Sequence, residues 1–117
     1  MEFRHFRGNQ PPKFAHESER ELAELLDAAG LPWEYEPHTF ALKHGEDGRL
    51  VEAITPDFYL PEARIYIECT EMKTSLATRK RRKLRKLRSL YGEVVTLVER
   101  HDFARLRAKY GQARRSR

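Results

Sequence analysis

The most informative stretch of this chain is AITPDFYLPEARIYIECT, residues 53–70. Two runs rich in β-branched and aromatic residues flank a short turn-like segment, which predicts a β-hairpin. If Leu60 pairs with Ile65 across that turn, antiparallel register makes the paired residue numbers sum to 125. Asp57 then faces Glu68, so the hairpin is expected to bring two carboxylates together.

Strand alternation divides the predicted hairpin into two faces. One face is apolar, and the other carries the two carboxylates together with Tyr59, Tyr66 and Thr70. Two like charges side by side destabilise a hairpin by a few tenths to about 1 kcal/mol at an exposed site, and by more where water is excluded.

A divalent cation removes that repulsion. Mg²⁺ prefers oxygen ligands, usually carboxylates and waters, and the backbone carbonyl of Cys69 is placed to complete the set. The alternative is a surface hairpin with two solvated carboxylates. Pro56 counts against that alternative because it fixes the path of the chain where the Asp57 carboxylate must be aimed.

Hydrophobic periods and turn residues predict the elements around the hairpin. In chain order they are an amphipathic helix opening at Ser18 and ending before Gly30, a short strand pair between Trp33 and Lys43, the hairpin, a basic helix over Leu76–Tyr91, a strand over Val94–Val98 and a short helix over Asp102–Tyr110. We therefore expect an α/β (α+β) fold in αβββαβ order, with a central mixed sheet flanked by helices.

The length of 117 residues allows one small domain. We expect an N-terminal arm over 1–15, the folded domain over 16–110 and a basic disordered tail over 111–117. The single cysteine, Cys69, excludes an internal disulfide and a thiolate zinc site. No stretch is apolar enough for a secretory signal or a membrane span, so a reducing cytoplasm is the expected compartment.

Charge is divided sharply along the chain. Residues 1–70 carry 7 Lys/Arg against 14 Asp/Glu, whereas residues 71–117 carry 16 against 4. The run Arg79–Arg88 has eight cations in ten residues and no acidic residue to pair with them. A solvated helix face explains part of this run, and a membrane-surface helix lacks the apolar face it needs. A polyanion is the expected counter-charge, contacted by Arg79, Arg81, Arg82, Lys83, Arg85 and Lys86.

The chain resembles the PD-(D/E)XK nuclease superfamily. Pro56-Asp57, ten intervening residues and then Glu68-Cys69-Thr70 look like its signature, with threonine where the lysine usually stands. The resemblance extends in element order from about Ser18 to Val98. It implies a restriction-endonuclease-like fold in which Asp57, Glu68 and the Cys69 carbonyl ligate Mg²⁺ or Mn²⁺.

The first helix is similar to that of archaeal Holliday junction resolvases, in which a glutamate helps to bind metal. The resemblance assigns that role to Glu19. The alternative for Glu19 is helix capping, because Ser18 and Glu21 have the spacing of a capping box and acidic residues suit a first helical turn. Glu17 is a weaker alternative as a ligand.

Thr70 cannot supply the positive charge that the family's lysine uses to stabilise the transition state. Lys80 is the expected substitute, since family members are known in which the lysine has moved to the following helix. The apolar stripe of the basic helix is marked by Leu76, Leu84, Leu87 and Tyr91. Lys80 lies on this stripe, four residues after Leu76 and four before Leu84, and must either extend to solvent or reach the polar sheet face. Lys73 is the second candidate.

Together these features predict a metal-dependent endonuclease that hydrolyses DNA with backbone rather than base-specific recognition. The first alternative is a nuclease-like fold that binds nucleic acid without catalysis, as a subunit of a larger DNA-processing complex. A second is a basic interaction module whose hairpin carboxylates are incidental. The small size also suggests a homodimer or a larger complex.

Overall fold

The computed structural model describes residues 3–70 and 74–99, with 74–77 by their backbone alone, and three later residues, Asp102, Arg105 and Ala108. Lys73, the tail 111–117 and most of the predicted helix 102–110 lie outside the described residues. The elements are α1 (Glu17–Ala28), β1 (Glu34–Tyr35), β2 (Phe40–His44), β3 (Leu50–Ile54), β4 (Phe58–Leu60), β5 (Ile65–Thr70), α2 (Thr74–Tyr91) and β6 (Val94–Glu99).

The predicted hairpin is β4–β5, and its predicted register is confirmed over the whole of β4. Phe58 pairs with Ile67, Tyr59 with Tyr66 and Leu60 with Ile65. The turn closes where the Arg64 N–H donates to the Leu60 carbonyl over 2.8 Å. The register follows because a shift of one residue would turn every apolar side chain of the hairpin to the wrong face.

The hairpin lies within a four-stranded sheet of order β1-β4-β5-β6, which is mixed, as predicted. β1–β4 and β4–β5 are antiparallel, whereas β5–β6 is parallel and is connected through α2. Gly92 ends α2 in a left-handed conformation, and its N–H donates to the Arg88 carbonyl over 2.8 Å. The chain thereby returns to start β6 beside the beginning of β5.

The predicted αβββαβ order is wrong, because five strands separate the two helices. β2 and β3 form a separate two-stranded sheet, while β1 joins the main sheet beside β4. The expected strand pair between Trp33 and Lys43 therefore does not form. Pro56 explains the division of residues 50–60 into two strands, because proline donates no ladder hydrogen bond and restricts the residue before it.

The main sheet is covered on both faces. Leu22, Leu25 and Leu26 of α1 pack with Phe58 and with residues of β5 and β6 on one face. On the other face, Leu84 and Leu87 of α2 pack against Leu42 and Ile54 of the β2–β3 hairpin. Tyr91, expected on the buried stripe of α2, is instead exposed at the end of the helix, where its hydroxyl donates to the Ala41 carbonyl over 2.8 Å.

The ends of α1 follow different rules. Its N-cap is His16, which makes no side-chain capping bond, so Ser18 does not cap the helix and the capping-box alternative for Ser18 and Glu21 is wrong. As predicted, α1 ends before Gly30, which adopts a left-handed conformation with a φ of +75°. The Gly30 N–H donates to the Asp27 carbonyl and the Leu31 N–H to the Leu26 carbonyl, which is the Schellman arrangement.

The N-terminal arm packs onto the domain through Trp33. Phe3, Phe6 and Phe14 surround the indole, with ring centroids 4.7–6.4 Å away. The Asp27 carboxylate accepts hydrogen bonds from the backbone N–H groups of Arg4 and His5 and from Trp33 Nε1. The described part of the arm is therefore integrated into the core around α1.

Candidate functional site

The carboxylates of Asp57 and Glu68 lie next to each other, as predicted. Each accepts a hydrogen bond from a backbone N–H of the opposite strand. The Asp57 N–H donates to Glu68 Oε1 over 3.0 Å, and the Cys69 N–H donates to Asp57 Oδ2 over 2.8 Å. Both side chains are buried, at 8% and 4% exposure. Backbone pairing ends at Phe58 and Ile67, so beyond that point carboxylates replace carbonyls as the acceptors of the ladder.

Lys80 reaches this pair from α2. Its Nζ lies 2.6 Å from Glu68 Oε2 and donates to the Cys69 carbonyl over 2.8 Å. The side chain is only 17% exposed. Of the two orientations considered from the sequence, the lysine therefore adopts the one that points to the sheet face.

Burial and like charge raise the pKa of Asp57 from its ordinary value of 3.8 to about 8. Burial is the larger cause, and the neighbouring Glu68 charge adds to it. The Cys69 N–H and Lys80 act in the opposite direction, and Glu19 raises the pKa further. Burial, followed by the charge of Asp57, also raises the pKa of the Cys69 thiol, which favours the neutral thiol over the thiolate.

Glu19 extends the acidic region from the side of α1. It is buried, and its Oε1 accepts hydrogen bonds from the Tyr35 hydroxyl and from the Ala15 N–H, the latter over 3.3 Å. Its charge acts on both Asp57 and Cys69. The weaker alternative, Glu17, is exposed and pairs with Arg20 over 3.8 Å.

Tyr35 and Glu36 also border the site, although no sequence pattern singles them out. Besides the Tyr35 contact with Glu19, the Glu36 N–H donates to the Asp57 carbonyl over 2.9 Å. Glu36 has a φ of +48°, which is unusual for a residue other than glycine. Burial, followed by the charges of Glu19 and Glu68, raises the pKa of its carboxyl. The sequence predicts a strand near β1 but pairs it with the next segment, whereas β1 pairs with β4, and this pairing brings Tyr35 and Glu36 to the site.

The oxygen donors of Asp57, Glu68 and the Cys69 carbonyl are the kind that Mg²⁺ or Mn²⁺ takes together with waters. In the part of the chain that the structure describes, no three His, Cys, Asp or Glu side chains form a ready metal-binding group. Two carboxylates and one carbonyl are the chemistry that a hard cation takes, and waters would have to supply its remaining ligands. Lys80 already contacts two of these donors, Glu68 and the Cys69 carbonyl.

The cations of α2 divide into two groups. Lys80, Arg81 and Lys86 pair with Glu68, Glu99 and Glu52, and Lys83 Nζ lies 3.5 Å from the Ala53 carbonyl. The other group is exposed at every third position of the helix and comprises Arg79, Arg82, Arg85 and Arg88. Of the six residues predicted to bind nucleic acid, Arg79, Arg82 and Arg85 therefore face solvent, whereas Arg81, Lys83 and Lys86 make contacts within the domain.

The opposite face of the sheet offers a different kind of space. A cavity of about 220 Å³ lies between α1 and strands β5 and β6, and its described lining is apolar apart from Thr96. None of the described residues that line this cavity has an ionisable side chain. The chemistry of the described residues is therefore concentrated on the face that carries Glu68.

Neither of the helices that the structure describes has the length and apolarity needed to cross a bilayer.

We expect Asp57→Asn to stabilise the metal-free protein, and to do so more at high pH. A raised carboxyl pKa means that the folded state binds the extra proton between about pH 4 and pH 8, so the stability that Asp57 contributes is lost as the pH rises through this window. Asparagine keeps an acceptor for the Cys69 N–H and removes the charge. Urea denaturation at pH 5.5 and pH 8.5 should show a stabilisation at least about 1 kcal/mol larger at the higher pH.

Glu62→Gln, in the exposed turn, is the control and should leave the pH dependence of wild-type stability unchanged. Parallel pH profiles for wild type and Asp57→Asn would contradict the raised pKa.

Comparisons of this chain with protein-family models, with curated proteins and with solved structures find no match. The functional conclusion therefore depends on the site itself.

Proposed function

We propose that this chain is a metal-dependent endonuclease that hydrolyses phosphodiester bonds in DNA and contacts the backbone rather than base edges. The observation that carries this proposal is the buried arrangement of Asp57, Glu68 and Lys80. The exposed arginines of α2 beside it supply the charge that attracts a nucleic-acid backbone.

The energetics of the site favour a functional role. Buried ionised groups lose hydration, and replacing them with apolar residues of similar volume is often neutral or stabilising. Here burial, with the Glu68 charge, raises the pKa of Asp57 to about 8, so at neutral pH this carboxyl holds a proton that an exposed aspartate would have lost. Strongly perturbed titratable groups with specific charged partners are typical of catalytic sites.

Each residue has a role in the proposed reaction. Asp57, Glu68 and the Cys69 carbonyl would hold Mg²⁺ or Mn²⁺, and Glu19 would support the site from α1. Such a cation would supply Lewis-acid chemistry, which polarises a phosphate and lowers the pKa of a bound water. Lys80 places a positive charge beside Glu68, where it stabilises the negative charge that develops on the phosphate. Lys73 is kept as the second candidate for this last role.

Cleavage assays test the proposal directly. Supercoiled plasmid, single-stranded DNA, a four-way junction and RNA are incubated with Mg²⁺ or Mn²⁺ and with wild type, Asp57→Asn, Glu68→Gln or Glu62→Gln. We expect cation-dependent cleavage of DNA that falls about 100-fold or more in the first two variants and is unchanged in the third. If the wild type cleaves none of these substrates, the proposal that this chain is a nuclease is wrong.

The second candidate function is nucleic-acid binding without catalysis, either alone or within a larger complex. It is favoured by Thr70, which is buried on the strand position where the resemblance places a lysine. Salt-sensitive binding without cleavage in wild type and in both carboxylate variants would establish it. A basic module with incidental carboxylates is distinguished by thermal denaturation, because it should show no stabilisation by Mn²⁺.

The exposed arginines give a quantitative prediction for DNA binding. We expect the triple variant Arg79→Gln/Arg82→Gln/Arg85→Gln to reduce the slope of log K against log salt by about 0.9 for each phosphate that α2 no longer neutralises. Fluorescence anisotropy over a salt series measures this slope. The matched control, Lys13→Gln/Lys43→Gln/Arg64→Gln, removes the same charge from exposed positions outside α2 and should keep the wild-type slope. Equal slopes in the two triple variants would refute a specific role for α2.

A further inference from the structure

A group of aromatic side chains lies beside the carboxylate pair on the same face of the main sheet. Tyr66 precedes Glu68 by two residues in β5, so the two side chains share a face, and Tyr59 pairs with Tyr66 across the hairpin. The spacing along a strand puts this tyrosine pair about 7 Å from Glu68. The two tyrosine rings contact each other, with centroids 4.4 Å apart.

His38 holds the tyrosine pair in place. Its Nδ1 lies 2.7 Å from the Tyr66 hydroxyl, and its ring meets both tyrosines edge to face. Tyr66 is 3% exposed, whereas Tyr59 is partly exposed and His38 is exposed. Tyr59 therefore presents part of an oriented aromatic ring on the polar side of the sheet.

This ring does not belong to either apolar core. The two core clusters of the described residues lie under α1 and under α2, and Tyr59 and His38 belong to neither, whereas the buried Tyr66 packs against Phe40 at the edge of the second cluster. Glu34 pairs with Tyr59 from the neighbouring strand and so lies on the same face. A carboxylate there repels phosphate but accepts hydrogen bonds from the N–H groups of a nucleobase.

We propose that Tyr59, flanked by His38 and Glu34, is a stacking site for an unpaired nucleobase next to the cleaved phosphodiester. This inference rests on the proposed nuclease function and names its substrate class as DNA with unpaired nucleotides. A phosphate at the carboxylate pair and a base on Tyr59 are separated by about the reach of one nucleotide. A base inside a duplex already stacks on both sides, so it has no free face for the tyrosine.

Binding assays without divalent cations separate this site from catalysis. A fluorescein-labelled single strand and the corresponding duplex are titrated at one salt concentration with wild type, Tyr59→Leu and Tyr59→Phe. We expect Tyr59→Leu to weaken single-strand binding by about 5- to 150-fold, the equivalent of about 1–3 kcal/mol of stacking. Duplex binding should change less than about twofold, and Tyr59→Phe should bind both probes as wild type does.

A second probe avoids any dependence on how the variants fold. A single strand with abasic sites in place of its bases should bind wild type as weakly as the intact strand binds Tyr59→Leu. The inference is overturned if the abasic strand binds as well as the intact one, if both probes lose affinity equally in Tyr59→Leu, or if only RNA shows the dependence on Tyr59.

Different results would overturn the nuclease activity and the stacking site at Tyr59. Cation-dependent cleavage with no effect of Tyr59 on single-strand binding overturns the stacking site alone. Tyr59-dependent binding with no cleavage of any substrate overturns the nuclease and leaves the stacking site standing.

Discussion

Replacing Lys80 with methionine is expected to lower the rate of cation-dependent DNA cleavage by at least about 100-fold. The lysine Nζ lies 2.6 Å from Glu68 Oε2 and 2.8 Å from the Cys69 carbonyl, so its loss removes the positive charge nearest the carboxylate pair. Methionine keeps most of the side-chain volume and no charge. Single-turnover cleavage under conditions in which both proteins are folded measures the effect.

The same substitution should reduce the free energy of unfolding by about 3–5 kcal/mol, because it leaves Glu68 buried without its partner. Lys80→Arg separates the two effects. It restores a positive charge for Glu68, but a planar guanidinium does not reproduce the compact ammonium group at the reacting phosphate. We expect Lys80→Arg to recover stability and not the cleavage rate.

Lys86→Met is the matched control for both experiments. Lys86 also makes an ion pair, with Glu52 over 2.8 Å, but this pair is more exposed and lies away from the carboxylates. Its loss should cost less than about 1 kcal/mol and leave the cleavage rate unchanged. If Lys80→Met cleaves at the wild-type rate, Lys80 has only a structural role and Lys73 becomes the catalytic candidate.

Trp33→Ala is expected to lower the free energy of unfolding by about 3–5 kcal/mol. The indole is 0% exposed and lies among Phe3, Phe6, Phe14 and Phe58. Truncation to alanine removes this aromatic packing and also leaves the Asp27 carboxylate without the Nε1 donor. The space left by truncating Trp33 lies where the N-terminal arm joins α1 and the sheet.

Urea denaturation followed by circular dichroism measures this effect, because Trp33 is the single tryptophan and its fluorescence is lost in the variant. Leu90→Ala, at an exposed position of α2, is the control and should change stability by less than about 0.5 kcal/mol. A loss below about 1 kcal/mol for Trp33→Ala would show that the arm does not complete the core.

The features that sequence analysis predicted correctly are local. The alternation along residues 58–67 determined both the hairpin register and its apolar face, because one face had to be buried. Gly30 marked the end of α1, since its left-handed conformation is costly for other residues. Leu84 and Leu87 marked the buried side of α2 through their helical spacing.

The features that sequence analysis missed depend on contacts between distant segments. The pairing of β1 with β4 joins residues that are far apart in the chain, such as Glu34 with Tyr59, and no local period encodes it. Similarly, Pro56 predicts a fixed chain path at Asp57, but it also separates β3 from β4, which the sequence does not show. Tyr35 and Glu36 border the site only because that distant pairing brings them there.

The juxtaposition of Asp57 and Glu68 is encoded locally, because a turn of defined length and a period of two leave one register that buries the apolar face. Which cations of α2 contact the site and which face solvent depends instead on the packing of the helix. All eight look alike in sequence, but the packing of Leu84 and Leu87 sets the rotation of the helix. That rotation directs Lys80 to Glu68 and leaves Arg79, Arg82 and Arg85 exposed.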